Sequence, residues 1–168
     1  MDDEENFREE SKREISLQGT NSKLKSLTSD WLLESAKAKY SYHFNWLGRP
    51  IIQYPQDIVG LQEILWKVKP DFIVETGIAR GGSLIFLASI LELIAICGGS
   101  KNSKVIGIDI DIRCHNKNAI LKHPLSKRIE MLEGSSTDPK IYDQVKEKIN
   151  SGKKILVCLD SNHTYEHV

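Results

Sequence analysis

The sequence predicts an α/β fold built on a doubly wound parallel sheet, and three observations carry that prediction. From Asp57 onward, short apolar runs of strand length alternate with amphipathic stretches of helix length. The short runs are continuously apolar, as expected of strands covered on both faces. Each of them ends at or beside an acid: Glu75, Asp109, Glu133 and Asp160. Strand–helix–strand repeats close by right-handed crossovers, which makes the pairing parallel. Ligands of such sheets bind beyond the carboxyl ends of the strands, near the switch in strand order. The residues around those four acids are therefore the first to inspect.

The elements follow in order. Residues 1–29 carry many acids (Asp2, Asp3, Glu4, Glu5, Glu9, Glu10, Glu14) against Arg8, Lys12 and Arg13, then a stretch rich in Ser, Thr, Asn and Gln. Such composition buries little, so it reads as a mobile or weakly helical arm. Residues 30–56 form an aromatic-rich lead-in with Trp31, Tyr40, Tyr42, Phe44, Trp46 and Tyr54. Gly48, Pro50 and Pro55 argue against one continuous helix there. Two readings stay open for this segment: apolar anchoring to the core, or a substrate-facing role for Trp46, Arg49 or Tyr54. Residues 57–168 are the regular part. Ile58, Leu61, Leu65 and Val68 recur at helical spacing until Pro70 stops the helix. Phe72 to Glu75 is a buried strand, Thr76 to Gly82 a glycine-rich turn, and Ser83 to Ile96 a largely apolar helix closed by Gly98 and Gly99. Lys104 to Asp109 is the second strand, Arg113 to Lys122 a helix, and Ile129 to Leu132 the third strand. Asp138 and Pro139 open a further helix as N-cap and first-turn proline. Lys154 to Asp160 is the fourth strand.

Composition narrows the function classes. The chain has 168 residues, 23 basic and 23 acidic, and a formal net charge of zero. That lacks the basic excess of a protein whose main ligand is a phosphate backbone, so no nucleic-acid partner is expected. The three cysteines, Cys97, Cys114 and Cys158, show no CxxC spacing, which suggests neither a disulfide framework nor a zinc knuckle and fits a cytoplasmic setting. The acidic N-terminus does not resemble an export signal. The longest apolar stretch, Leu84 to Cys97, is interrupted by Ser89 and Glu92 and is shorter than the roughly 20 residues of a membrane span.

The first strand end carries the most chemistry. Glu75-Thr76-Gly77-Ile78-Ala79-Arg80-Gly81-Gly82-Ser83 is an E-x-G-x-x-x-G-G-x loop. Its glycines let backbone approach a ligand, and the helix behind offers unpaired N–H groups. The spacing is neither the G-x-G-x-x-G of dinucleotide binders nor a P-loop. It suits S-adenosylmethionine, which brings one carboxylate and no pyrophosphate. Asp109 is placed to accept both hydroxyls of a ribose, with Asp111 as competitor and a helix N-cap as the alternative role. Ser135 and Ser136, in the turn after the third strand, could meet an adenine edge or serve only turn and capping chemistry.

These residues resemble the cephalosporin hydroxylase / rhamnosyl O-methyltransferase family. The resemblance rests on Trp46-Leu47-Gly48-Arg49-Pro50, Gln53-Tyr54-Pro55-Gln56-Asp57, Val74-Glu75-Thr76-Gly77 and Gly81-Gly82-Ser83. It continues through Ile108-Asp109-Ile110-Asp111, His123-Pro124-Leu125, Glu133-Gly134-Ser135-Ser136 and Leu159-Asp160-Ser161-Asn162-His163. It implies a Rossmann-like class I methyltransferase fold with S-adenosylmethionine as donor, a hydroxyl acceptor and magnesium assistance. Carried over by position, Glu75, Gly77, Gly81, Gly82 and Ser83 form the donor loop, Asp109 takes the ribose, and Ser135 and Ser136 lie near adenine. Asp160 becomes a metal ligand. One carboxylate is thin for magnesium, which prefers octahedral oxygen coordination; the family's adjacent Glu-Asp pair follows a later strand absent from this sequence. His163 is a general-base candidate or a polar residue at a helix start, and His167 a weaker one.

The expected function is an S-adenosylmethionine-dependent O-methyltransferase, or its N-terminal part, acting on a hydroxyl of a sugar, glycolipid or other small molecule in lipid or polysaccharide biosynthesis. The sheet reads as truncated after its fourth strand. The competing reading is a non-catalytic adenosine-binding or interaction fragment, and an NAD-dependent oxidoreductase is disfavoured by the loop spacing. Homo-oligomerisation stays open.

Overall fold

The structure, a computed structural model, describes residues 2–149 and 154–165. Contacts divide the chain into two units, residues 1–40 and 41–168. The division falls inside the aromatic lead-in.

The first unit contains α1 (Asp3–Thr20) and α2 (Ser22–Lys37). Residues expected as a mobile or weakly helical arm are thus helical. Local chemistry accounts for it. Asp2 caps α1 by accepting from the Glu5 N–H at 2.8 Å, and Asn21 caps α2 by accepting from the Leu24 N–H at 3.0 Å. Glu4 pairs with Arg8 and Glu9 with Lys12 along the exposed surface of α1. No side chain of α1 is buried, so its helicity rests on caps and propensity and owes nothing to core burial. Trp31 meets Tyr40 edge-on, ring centroids 5.6 Å apart.

The second unit opens with a single turn of 3-10 helix (Tyr40–His43) and a short antiparallel hairpin, β1 (Phe44–Trp46) and β2 (Arg49–Ile51). Leu47 and Gly48 both take positive φ at its tip (44° and 84°), the handedness that matches strand twist. Sequence reasoning did not foresee the hairpin. The anchoring reading of the lead-in holds for Trp46. Its ring packs edge-on against Phe86 at 4.9 Å, and its indole N–H donates to the Ser89 hydroxyl at 3.0 Å.

The remaining elements are α3 (Pro55–Val68), β3 (Phe72–Thr76), α4 (Gly82–Ile96), β4 (Lys104–Asp109), α5 (Cys114–Leu121), β5 (Ile129–Glu133), α6 (Pro139–Ile149) and β6 (Ile155–Leu159). The four strands from Phe72 onward form one parallel sheet of order β5-β4-β3-β6. This is the predicted doubly wound α/β arrangement, Rossmann-like in topology. The chain winds outward from β3 through β4 to β5, then crosses back through α6 to place β6 on the other side of β3. The switch in strand order therefore lies between β3 and its two neighbours.

Two apolar clusters cover the sheet. On one face Ile73, Val105 and Ile129 pack with Leu65 of α3, Ile120 of α5 and the many buried residues of α4. On the other, Val74, Ile106, Ile108 and Leu132 pack against Ile141 and Val145 of α6. β6 departs from the expectation of strands covered on both faces. Its Leu156 and Cys158 join the α4-side core, whereas Ile155, Val157 and Leu159 are 41–58% exposed. Among the described residues α6 alone serves that face, and it leaves an apolar hollow of about 330 Å³ bounded by Val74, Ile141, Val145 and Val157. No helix among the described residues is long and apolar enough to cross a membrane.

Candidate functional site

Backbone hydrogen bonds bring the carboxyl ends of the strands together. The Gly77 N–H donates to Ile108 O at 2.8 Å, Asp160 N–H to Thr76 O at 3.0 Å, and Gly134 N–H to Asp109 O at 2.8 Å. These bonds extend the ladder one step past β3, β5 and β6. They fix the loops after the strands as the floor of a cavity of about 430 Å³, a size typical of small-molecule sites. Gly77, Asp109, Gly134, Ser135, Ser136 and Asp160 all line it. A second cavity of about 250 Å³ shares Gly77, Ala79, Asp160 and Ser161 with the first and continues toward Gln53, Ser83 and His163. Of the sequence-predicted site residues, Asp109, Ser135 and Ser136 thus fall in the first cavity, Gly82, Ser83 and His163 in the second, and Gly77 and Asp160 in both.

The loop after β3 is held in an unusual shape. Gly77, Ala79 and Gly81 have φ of 95°, 46° and 80°. Asp109 accepts from the Ile78 N–H at 2.8 Å and the Ala79 N–H at 3.2 Å on one oxygen, and from the Asp111 N–H at 3.2 Å on the other. Its carboxylate is therefore a staple for the donor-loop backbone as well as a wall of the cavity. The glycines, expected to admit a ligand, answer first to the protein itself. A Cβ on Gly77 would stand 2.0 Å from the Asp160 carbonyl oxygen, one on Gly81 2.4 Å from Ile120, and one on Gly82 2.1 Å from the Pro50 carbonyl oxygen. Gly81 lines neither cavity; its role is to let α4 approach α5.

Glu75 points to the α4 side of β3, 2% exposed, and accepts from the Ser83 hydroxyl at 3.0 Å. Burial pushes its carboxyl up to about 8, against the opposing Ser83 hydrogen bond, and the charge of Asp160 adds to the rise. Glu75 is thus a neutral acid at pH 7. Asp160 is itself raised by desolvation, partly offset by His163, whose Nε2 stands 3.5 Å from Asp160 Oδ1. Cys158, register partner of Glu75, is pushed up to about 11 by burial and by the charges of Glu75 and Asp160. It is no thiolate nucleophile. His163 lies at the outer wall of the second cavity with 72% of its side chain exposed; His167 lies outside the described residues.

Sequence reasoning named Arg49 only as a possible substrate-facing residue of the lead-in, and did not single out Asn116 or Gln53 as parts of the site. Arg49 donates through Nε to Arg80 O at 3.1 Å, again to that oxygen through Nη2, and to Asn116 Oδ1 at 3.2 Å. Asn116, 6% exposed, donates from Nδ2 to Ala79 O at 2.9 Å. Gln53 lines the second cavity, and its buried side-chain oxygen accepts no hydrogen bond. A polar residue on the inner face of α5 was the available signal for Asn116; no periodicity singles out the other two.

The fit to a divalent metal is poor within this set. No group of three His, Cys, Asp or Glu side chains comes together among the described residues. Among the described residues Asp160 has only His163 at ion-pair distance, short of the oxygen shell magnesium requires.

Comparison with known proteins matches this arrangement. The family model described as Rhamnosyl O-methyltransferase/CmcI matches residues 38–168. A rhamnosyl O-methyltransferase of Mycobacterium tuberculosis is 31% identical over 118 residues, covering 67% of this chain and 42% of the relative. One from Mycobacterium leprae is 29% identical over 124 residues, covering 73% and 50%. The chain spans half or less of the length of these curated relatives. Among solved structures, the Mg–SAM form of CmcI superposes with a TM-score of 0.54 at 21% identity over 73% of this chain and 48% of that one. An apo structure of CmcI gives 0.50 at 25% identity over 74% and 48%. The superpositions show the class I, Rossmann-like fold, and with the match over residues 38–168 the chain belongs to the Rhamnosyl O-methyltransferase/CmcI family.

Proposed function

We propose that this chain binds S-adenosylmethionine and carries the donor side of an O-methyltransferase acting on a hydroxyl of a sugar or similar small molecule. The observation that carries the reading is the pair of joined cavities at the strand-order switch, lined by Gly77, Asp109, Ser135, Ser136, Asp160 and His163. The names of the relatives, rhamnosyl O-methyltransferases, support a sugar-type acceptor. The Mg–SAM form of CmcI supports the donor.

In this reading adenosine occupies the first cavity. A carboxylate has about four acceptor positions, and three backbone N–H groups already engage Asp109. Asp109 thus has one direction left and receives a single ribose hydroxyl. Ser135 holds its own turn, accepting from the Thr137 N–H at 3.3 Å, and with Ser136 borders the adenine end. The amino-acid end extends past Gly77 toward Glu75, Ser83 and the start of α4, where Gly82 and Ser83 wall the second cavity. S-adenosylmethionine supplies a sulfonium methyl that an acceptor oxygen attacks in line. His163 takes the proton leaving the acceptor hydroxyl, with Asp160 orienting the ring. Asp160 is the residue here that would contribute to a magnesium site such as that of the Mg–SAM form of CmcI. The three free cysteines support a cytoplasmic setting.

Calorimetric titration with S-adenosylhomocysteine tests the proposal. Saturable binding that is lost on Asp109→Ala is the expected result. Absence of binding by the wild-type chain removes the reading and leaves an interaction module. NADH binding in its place would reinstate the oxidoreductase alternative.

A further inference from the structure

One residue of the donor loop is held in a costly backbone conformation. Ala79 sits at φ 46°, a conformation that a residue with a Cβ rarely adopts, between Gly77 and Gly81, which are also left-handed. Such a backbone persists only where its surroundings over-determine it. The Ala79 and Arg80 carbonyls are both engaged by side chains from distant parts of the chain. Asn116 of α5 donates to Ala79 O, and Arg49 of β2 donates to Arg80 O with a forked guanidinium while also donating to Asn116 Oδ1. Asp109 meets the same loop through the Ile78 and Ala79 N–H groups. The strained turn is therefore gripped at its N–H groups by one side chain and at its carbonyls by two that are bonded to each other.

We propose that Arg49 and Asn116 form a clamp that presets the donor loop for ligand, making them positioning residues for the donor site. The inference deepens the reading of that site as an S-adenosylmethionine pocket. The clamp holds the loop in its binding shape before any ligand arrives, so that binding does not carry the ordering cost of the turn. The Gly82 position leaves no room for a Cβ beneath Pro50, so β2 is seated tightly enough for Arg49 to reach across the loop. Neither residue lines the first cavity, which separates their role from direct contact with the adenosine.

The test uses the full chain and two readouts. Hydrogen exchange of the ligand-free protein should show faster exchange at the 77–81 amides in Asn116→Ala, with the β4 amides unchanged. Titration with S-adenosylhomocysteine should show binding weakened roughly tenfold in the same variant, and protection of the loop restored at saturation. Arg49→Lys keeps the charge but loses the fork, and should give a smaller loss at the same amides. Trp46→Phe, which removes a hydrogen bond of the same hairpin to Ser89 and keeps an aromatic ring against Phe86, should leave loop exchange and affinity at wild-type values. Unchanged loop exchange in both clamp variants overturns the proposal, as does a uniform rise across α5 and β4, which would mark a merely structural role. Unchanged affinity in a wild-type background that binds ligand overturns it too. If the wild-type chain binds no S-adenosylhomocysteine, the donor reading falls and the exchange measurement alone decides the clamp.

Discussion

Replacing Glu75 by Gln should change how stability depends on pH, and the size of the change follows from where the carboxyl sits. Glu75 is buried on β3 and its carboxyl is raised from 4.5 to about 8, chiefly by desolvation. Unfolding exposes it to water and returns it to the ordinary value, so between those two pH values the folded state binds a proton that the unfolded state has lost. Stability from this group is then complete below about pH 4.5 and declines as pH rises, levelling off above 8. At about 1.4 kcal/mol for each tenfold change in proton affinity, the interval from pH 5.5 to 8 is worth on the order of 3 kcal/mol. A glutamine keeps the acceptor for the Ser83 hydroxyl and does not titrate. Urea unfolding of both proteins at pH 5.5, 7 and 8 measures the effect. The stability of Glu75→Gln relative to wild type should improve steadily across the series, while contributions from other carboxylates cancel in the difference. Parallel pH profiles would refute the assignment of Glu75 as a neutral buried acid.

Two further outcomes rest on packing. Gly77→Ala places a Cβ 2.0 Å from the Asp160 carbonyl oxygen at φ 95°, so the ends of β3 and β6 must part. Denaturant unfolding should show a loss of at least about 2 kcal/mol, and titration should show no binding of S-adenosylhomocysteine. Trp46→Phe removes the indole N–H that donates to the Ser89 hydroxyl. It should cost about 1 kcal/mol, and Trp46→Ala about 3 kcal/mol, both read as shifts in urea midpoint.

The sheet was legible because its signals are local and periodic. Apolar runs such as Ile155 to Leu159, stopped by an acid or a glycine turn, do not depend on what lies across from them. The hairpin was not legible for the opposite reason. Its strands are three residues long, and its turn is Leu47-Gly48 in place of the Asn-Gly pair that announces a primed turn. Residues 3–20 read as mobile or weakly helical because apolar burial was the criterion, whereas the cap at Asp2 and the surface ion pairs are what that segment uses. Cavity-lining residues were legible where they terminate strands, and the contacts between residues that arrive from elsewhere were not. Arg49 and Asn116 meet only in the fold, and no spacing encodes that meeting. The glycines were found for an incomplete reason: positions chosen as ligand-facing are required by Asp160, Ile120 and Pro50.

Asp109 shows how two readings that compete in sequence can be parts of one role in structure. As a ribose acceptor it was expected to spend both oxygens on ligand; as a capping residue it would spend them on backbone N–H groups. The carboxylate does the second for Ile78, Ala79 and Asp111, at 2.8–3.2 Å, and lines the first cavity while doing so. A side chain fixed by three such bonds is already oriented, so a ribose hydroxyl arriving at its remaining direction meets an acceptor that loses little rotamer freedom on binding. The same bonds tie its position to the loop beside the ligand's path. A displacement of that loop moves the acid, and removal of the acid frees the loop. In a strand-end site of this kind the ligand contact and its support are carried by one residue, so a loss of affinity on Asp109→Ala contains both effects. Exchange at the 77–81 amides separates the two, because only the loss of support is visible before ligand is added.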